Sequence, residues 1–383
     1  MKPVTDKIDN VRLIAKTIKY SSTPLERLKE LCAQENPPVQ FRKVILDVKV
    51  RWNSTHLFLE WLLRLKKPLL RLIGEMFENQ ADSIEDRFDE VSVEEWVHFQ
   101  WICDLLQPLR EATEICSGQN YTTFSSILPL YNVILDHLER SKTYFEATVA
   151  FLRDQNAQTR LYVKSFFPER WHGLQPSRAN TPSVETLEDL ILSCENAMAK
   201  MTGYYQVQSD FAIAAVVLDP RLGLEYYRDP SKADQDNKEQ MQSAKNEVLH
   251  YFQPYSDIQV SSSQSQTASA VSSSKSIGSK IYKKRRVMGG GCQVTGYCDM
   301  QKNDVGEDTD VLKWWKNNQS QFPQLAAMAR DVFSAVGTST PSERAFSSSK
   351  ETITDRRNRL GVKTVEALQL TKGMLKRKRT ERK

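Results

Sequence analysis

Residues 338–375 carry the most complete set of helix signals in this chain. Thr340 suits the N-cap, and Pro341 suits the first helical position, where its missing N–H costs nothing. Glu343 follows three residues after the cap, close enough for its carboxylate to reach back to the N–H of the cap residue. The sequence therefore predicts a helix that begins with a capping box at Thr340.

The same stretch predicts a second helix directly after the first. Phe346, Ile353 and Leu360 are seven residues apart and form one apolar stripe, and Gly361 stands where a left-handed C-cap is expected. A new apolar pattern starts near Lys363. Its apolar side carries Val365, Leu368 and Leu375. A pair of consecutive amphipathic helices is the predicted structure of this end of the chain.

Helical periodicity also dominates the preceding sequence. A leucine-rich helix is predicted from Thr55 to Glu75, and two more lie between residues 91 and 155, where Pro108 and Pro129 each mark a kink or a first turn. We expect another helix over 183–204. An amphipathic helix is also predicted from Asp308, with Leu312, Trp314 and Trp315, and a further one at Phe322–Val336. Shorter elements are predicted as a helix at Pro24–Cys32, a strand or extended segment at Val44–Val50, and a helix at Phe211–Leu218 that is capped by Asp210 and ended by Asp219-Pro220-Arg221.

Composition changes sharply in the segment Pro254–Gly296, which is rich in Ser, Gln and Gly. Such a segment cannot bury enough apolar surface to offset its ordering entropy, so we expect it to be disordered. It contains the basic cluster 280–286, and a second basic cluster forms the tail 376–383. Both clusters are read as nuclear import signals or non-specific DNA contacts, with a solvated charged surface as the alternative.

Composition places the chain among globular proteins of reducing compartments. Apolar residues make up 40% and charged residues 26%, and the net charge of +5 is mild for 383 residues. Six scattered cysteines form no metal-binding spacing, and no apolar run is long enough for a membrane span. We therefore expect neither a membrane nor a small-molecule substrate among the partners.

Two motifs resemble those of hAT-type transposases, the hobo/Activator/Tam group. The first is Ser342-Glu343-Arg344-x-Phe346-Ser347, followed by Arg356-x-x-x-Leu360 and an apolar helix, which is similar to the C-terminal dimerisation region of that family. The second is the DVxxRWNST segment from Asp47 to Thr55, with Val50 and His56 where the family usually has Thr and Tyr. The LDPR sequence that ends at Arg221 also resembles the middle region of the family.

The resemblance implies a metal-dependent site for DNA cleavage and strand transfer. In the family three carboxylates hold two divalent ions, Mg or Mn, and the last of these acids corresponds to Glu343. The other two belong to strands upstream of the DVxxRWNST segment, which we call the RW motif. The residues before Asp47 contain no pattern of two strands with an Asp between them. We therefore expect Glu343 as the catalytic and metal-binding residue of the intact site, and no metal retained by this chain.

The resulting expected architecture is mostly α, a truncated RNase-H-like core interrupted by a large helical insertion. Its predicted segments are a core remnant with the RW motif (1–50), a helical insertion (51–253), a disordered basic linker (254–307), the dimerisation region (308–375) and the basic tail (376–383). The zinc finger and most of the catalytic core are expected to be missing.

Several residues keep two interpretations. Glu343 is either a helix cap alone or a former catalytic acid that now mainly caps its helix. Trp52 with Arg51, and Arg344, Arg356 and Arg357, are candidate DNA contacts. A tryptophan such as Trp52 is more often a core aromatic, and Arg356 and Arg357 also suit a solvated face. His98 and Cys103 fit a core better than a metal site. The candidate dimerisation residues are Phe346, Ile353, Leu360, Val365, Leu368 and Leu375.

Two functions follow from these observations. The first is the C-terminal part of an hAT-type transposase, which mediates dimerisation and contributes Glu343 to a site whose other acids are absent from this chain. The second is a non-catalytic, transposase-derived helical module for dimerisation and DNA binding. Both imply a nuclear protein whose partners are itself or a related transposase and DNA.

Overall fold

Helices form all the regular structure in the residues that the computed structural model describes, which are 4–48, 52–79, 89, 91–118, 121–153, 181–256, 290–300, 305–352 and 359–381. These ranges hold thirteen α-helices, two short 3-10 helices and no β-strand. The prediction of a mostly α chain is confirmed. The sequence predicted a strand or an extended segment at Val44–Val50. Its described part, residues 44–48, forms no strand, so this segment gives no support to an RNase-H-like core.

The chain divides into two units, and each is formed by segments that are distant in sequence. The first unit comprises 1–114 and 128–209, and the second comprises 115–127 and 210–383. The helices that lie mostly in the first unit are α1 (Val4–Tyr20), α2 (Ser22–Gln34), α3 (Trp52–Arg64), α4 (Lys66–Asn79), α5 (Val93–Cys116) and α6 (Ile127–Arg153). The next helix, α7 (Val184–Leu218), contributes residues to both units.

The second unit contains the remaining helices. They are α8 (Asp234–Ser256), α9 (Gly290–Cys298), α10 (Val311–Asn318), α11 (Pro323–Ser334), α12 (Thr340–Thr352) and α13 (Val362–Glu381), with 3-10 helices at Phe124–Ser126 and Leu224–Tyr227. The helices predicted around Trp314 and Trp315, after Phe322, and after Lys363 are confirmed by α10, α11 and α13.

The predicted core remnant at 1–50 is helical over much of its length. Val11, Ile14, Ala15 and Ile18 of α1 are buried, at the spacing of one helix face. They pack in the same core as Leu28 and other residues of α2. The described part of this segment therefore belongs to the helical core of the first unit.

The single helix predicted from Thr55 to Glu75 is two helices. α3 ends at Arg64 and α4 begins at Lys66, two residues before Pro68. Proline has no N–H to donate, and its ring crowds the carbonyl four residues earlier, which here is Arg64. The break follows from Pro68, while the leucines on both sides remain buried, including Leu62, Leu65 and Leu69.

The two helices predicted between residues 91 and 155 are confirmed as α5 and α6. Pro108 lies inside α5, and Pro129 lies in the first turn of α6, where no intrahelical donor is needed. The rings of Trp101 on α5 and Tyr144 on α6 stack with centroids 5.5 Å apart. These aromatic contacts account for the burial of this face of both helices.

The separate helices predicted at 183–204 and Phe211–Leu218 are one continuous helix, α7, of 35 residues. Asp210 therefore lies within this helix and does not begin a new one. The predicted end at Asp219-Pro220-Arg221 is confirmed, because α7 stops at Leu218. Proline at position 220 cannot continue the helical hydrogen bonding.

The core of the second unit overturns part of the predicted disorder. The last three residues of α8, which ends at Ser256, lie in the linker 254–307 that was expected to be disordered. All of α9, residues 290–298, lies in it as well. Val294 and Tyr297 of α9 are fully buried with Trp315 of α10. Burial of these side chains stabilises a helix whose glycine-rich sequence alone does not favour it. Residues 257–289 lie outside the described part of the chain.

None of the described helices is both long enough and apolar enough to cross a membrane.

Candidate dimerisation surface

The first turn of α12 is capped one residue earlier than predicted. The carbonyl of Ser339 accepts the N–H of Glu343 at 2.9 Å, so Ser339 is the N-cap and Thr340 is the first helical residue. The hydroxyl of Ser339 donates to Oε1 of Glu343 at 2.7 Å. The predicted reach of the Glu343 carboxylate to the N–H of Thr340 is therefore replaced by a bond to the Ser339 side chain.

The surroundings of Glu343 do not fit a two-metal site. Its side chain is exposed, and one carboxylate oxygen is already bonded to Ser339. Among the described residues, no group of three or more His, Cys, Asp or Glu is placed to hold a metal ion. Divalent ions in such sites require several oxygen ligands together. The catalytic and metal-binding role of Glu343 stays a prediction.

Arg344 of the same motif contacts protein. Its Nη1 donates to the carbonyl oxygen of Ser117 at 2.8 Å. Seven residues earlier, the N–H of Gly337 donates to Oγ1 of Thr123 at 3.2 Å. Hydrogen bonds thus connect the start of α12 and the residues just before it with Ser117 and Thr123 of the same unit.

The helices α12 and α13 form a pair that is joined by polar contacts. Nε2 of Gln369 on α13 donates to Oγ1 of Thr352 on α12 at 2.9 Å. One turn further along α13, Nζ of Lys372 lies 3.5 Å from the carbonyl oxygen of Ser348. No described residue of either helix belongs to the buried core of the second unit.

Large apolar side chains of this pair face solvent. Phe346 on α12 is 76% exposed, and Leu375 on α13 is 55% exposed. The other exposed apolar side chains of α13 are Val362, Leu368, Leu370 and Met374. Leu360 and Val365 are partly exposed, and Ile353 lies outside the described residues. Large apolar side chains that a folded chain leaves in solvent are candidates for contact with another molecule.

The end of α13 changes from apolar to basic. Lys378 and Arg379 lie in its last turn and are exposed. Basic residues there interact favourably with the negative end of the helix dipole, so they stabilise the helix even without a partner. The candidate DNA contacts Arg356 and Arg357 lie outside the described residues.

Hydrogen bonds of polar side chains hold the RW motif, residues 47–55, near both of its ends. The carboxylate of Asp47 accepts Nε of Arg12 at 2.8 Å and the hydroxyl of Thr55 at 3.0 Å. Ser54 accepts the N–H of Val48 at 2.8 Å and donates to its carbonyl at 3.0 Å. The motif residues Asp47, Ser54 and Thr55 therefore have a structural role at the start of α3.

Trp52, the candidate DNA contact of this segment, is 41% exposed at the first position of α3. It therefore is not a fully buried core aromatic, and its role in DNA binding stays a prediction. Arg51 lies outside the described residues.

His98 and Cys103 are buried in the first unit and do not form a metal site. Nδ1 of His98 lies 3.2 Å from Nζ of Lys7. Burial, with the nearby Lys7 ammonium, lowers the pKa of His98 to about 4. Burial also raises the pKa of the Cys103 thiol to about 12, so this cysteine is a poor nucleophile at neutral pH.

A buried carboxylate was missed by the sequence analysis. Asp219 of the LDPR motif is fully buried, and its carboxylate accepts the hydroxyl of buried Ser125 at 2.7 Å. Arg221 donates to the same carboxylate through Nε at 2.9 Å and through its backbone N–H at 3.0 Å. The aspartate of an Asp-Pro-Arg sequence after an apolar helix was the available signal.

Two aromatic side chains donate hydrogen bonds to the last turn of α7, directly before Asp219 in the sequence. The hydroxyl of Tyr297 donates to the carbonyl of Val217 and the indole N–H of Trp315 to that of Leu218, both at 3.0 Å. These carbonyls lie in the last turn of a helix and have no intrahelical donor. α9 and α10 thus satisfy the last turn of α7.

Comparison with known proteins identifies both ends of the chain. Residues 297–375 match the model of the hAT family C-terminal dimerisation region. Residues 1–105 match that of the ZBED1 RNase-like helical domain, a helical assignment that agrees with α1 to α5. The dimerisation match covers α10 to α12 and most of α13, so it includes the exposed apolar surface.

Similar proteins are found in plants. The chain is 23% identical over 386 residues to "Putative AC transposase" of Zea mays, a match that covers 96% of this chain and 41% of that protein. It is 22% identical to the "Zinc finger BED domain-containing protein DAYSLEEPER" of Arabidopsis thaliana, over 90% of this chain and 42% of the relative. The chain therefore spans about two fifths of the length of these relatives.

Proposed function

Because this chain belongs to the hAT transposase family, we propose that it is a dimerisation module in which the α12–α13 pair contacts the same pair of a second copy. The observation that carries this proposal is the exposure of Phe346, Leu370, Met374 and Leu375 within the matched dimerisation region. The proposed dimer buries these side chains, and burial of apolar area is the main favourable term in protein association.

Folding of the second unit alone does not use this surface. Its core is formed by α7 to α11, and neither α12 nor α13 contributes a described residue to it. The exposed apolar side chains of α12 and α13 can therefore be buried only by residues that are not part of this described core. A second copy is the occupant supported by the family match, because that region is described as a dimerisation region.

The proposal also includes DNA binding and a nuclear location. Both are supported by the names of the relatives, which include a transposase and a BED zinc finger protein, and by the basic end of α13. The contribution of Glu343 to a cleavage site is supported by its motif alone. The exposed carboxylate bonded to Ser339 favours the non-catalytic role for the residues present here.

Sedimentation velocity over about 0.1–50 μM protein tests the proposed dimer. Leu375→Gln should weaken it, because burying a leucine side chain is worth about 1.5–3 kcal/mol and roughly half of Leu375 is available to bury. With two copies per dimer, the expected loss is about 1.5–3 kcal/mol, or roughly 10- to 150-fold in Kd.

Leu192→Gln provides the matched control. Leu192 on α7 has the same 55% exposure as Leu375 but lies outside the matched dimerisation region. The proposal requires the control to dimerise like the parent chain. A parent chain that remains monomeric throughout this range, or an equal effect of both substitutions, would refute it.

A further inference from the structure

Two hydrogen bonds attach the N-terminal end of α12 to residues that lie between α5 and α6 in the sequence. The N–H of Gly337 donates to Thr123, and the Arg344 side chain donates to the carbonyl of Ser117. The sequence separations are 214 and 227 residues, so these are tertiary contacts. We call these two bonded pairs the clamp.

Close packing supports the Gly337 end of the clamp. A Cβ atom built on Gly337 would lie 3.2 Å from side-chain atoms of both Ile127 and Thr123. The chain therefore approaches this segment tightly at Gly337. Arg344 provides the second attachment, through a charged donor to a carbonyl, which is a stronger bond than a neutral pair.

Few other described contacts orient α12. Its side chains at Ser342, Glu343, Phe346 and Ser347 are exposed, and none of its described residues is buried. Since none of the described side chains of α12 is buried, polar attachments are the described contacts that set its direction. The clamp lies at the N-terminal end of α12, and α13 is attached to the same helix at Thr352.

We propose that Arg344 is a positioning residue, whose bond to the Ser117 carbonyl sets the direction of α12 and hence the presentation of the exposed apolar surface. This assignment replaces DNA contact as the role of Arg344. The effect on α12 itself is independent of dimerisation, whereas the effect on the dimer rests on the proposed function.

Hydrogen–deuterium exchange of the full chain tests the local effect. In Arg344→Gln the amides of residues 342–352 should exchange roughly 10-fold faster, the loss expected for one charge-assisted bond. Exchange of α8 and α10 should be unchanged. Arg344→Lys keeps the charge and a donor, so it should restore part of the protection.

Arg330→Gln is the matched control, since Arg330 is an exposed arginine on α11. Unchanged exchange in Arg344→Gln, an equal increase in the control, or an increase spread over the whole chain would each overturn the positioning role. An unchanged dimer Kd despite faster exchange of α12 would overturn the link to the apolar surface. A parent chain that fails to dimerise counts against the proposed function and leaves the exchange result to decide the role of Arg344.

Binding to a 20-base-pair duplex of arbitrary sequence separates positioning from DNA contact. An arginine that neutralises one phosphate changes the slope of log K against log salt by about 0.9. A slope reduced by that amount in Arg344→Gln, with unchanged exchange of α12, would overturn the proposal. We expect the slopes of Arg344→Gln and Arg330→Gln to agree.

Discussion

Replacement of Asp219 by Asn tests how strongly the buried carboxylate stabilises the second unit. Both of its oxygens accept hydrogen bonds: Oδ1 from the N–H and Nε of Arg221, and Oδ2 from Ser125 and from Nη2 of Arg221 at 2.6 Å. An amide replaces one acceptor oxygen by a donor NH2 group. Whichever way the amide is turned, a donor then faces donors.

The expected cost follows from the burial of the partners. Asp219 and Ser125 are fully buried, so an unpaired group there is not compensated by water. The Arg221 side chain is 23% exposed, so water partly compensates the loss of its charged partner. Breaking a fully buried ion pair costs about 3–5 kcal/mol, and the exposure of Arg221 reduces our expectation to about 2–4 kcal/mol.

Native-state hydrogen exchange of residues 210–218 measures this cost within the second unit. The chain has two units, so a single denaturation midpoint does not isolate one of them. Asp310→Asn is the control, because Asp310 is an exposed N-cap that accepts the N–H of Lys313 and Asn caps equally well. A cost for Asp219→Asn below about 1 kcal/mol, or no larger than that of the control, would refute the reasoning.

Three further substitutions test other described contacts. His98→Gln should reduce the loss of stability on acidification. The pKa of His98 in the folded chain, about 4, lies below its ordinary value of 6.5, so the parent chain loses up to about 3 kcal/mol as pH falls from 6.5 to 4, measured by native-state hydrogen exchange of α5. A parallel pH dependence in the variant would contradict this. Glu343→Gln should cost less than about 1 kcal/mol, since the residue is an exposed helix-cap partner, and a larger loss in native-state hydrogen exchange of α12 would indicate a role beyond capping. Asp47→Asn should cost about 2–4 kcal/mol, because the carboxylate is buried against Arg12, and unchanged native-state hydrogen exchange of α1 and α3 would show that this pair is dispensable.

Helices with strong apolar periodicity were predictable from the sequence, and helices stabilised mainly by tertiary contacts were not. The leucine and tryptophan patterns located α5, α6, α10 and α11. The spacing of Val11, Ile14 and Ile18 also marks α1, although this segment was assigned to the core remnant 1–50. By contrast, α9 is glycine-rich, and its burial against Trp315 cannot be read from local sequence.

The candidate surface was predicted in part. The motif at Ser342–Ser347 and the apolar residues that follow located α12 and α13, and the exposure of Phe346, Leu368 and Leu375 agrees with their predicted availability for dimerisation. The cap at Ser339 was misplaced by one residue, since Ser and Thr at three consecutive positions are equivalent as sequence signals. The bond from Arg344 to Ser117 joins residues 227 apart, a distance over which local patterns carry no information.

The core of the second unit joins residues that are translated at different times, and this has a consequence during synthesis. The apolar residues at the end of α7, from Ala214 to Leu218, pack against Trp315 and Leu325, which are made about 100 residues later. At about 5–20 residues per second, the ribosome needs on the order of 5–20 seconds to supply them. Through that interval the α7 end lacks the donors of Tyr297 and Trp315 that later satisfy its carbonyls. The growing chain therefore presents an unfinished apolar helix end to chaperones until α11 has been translated.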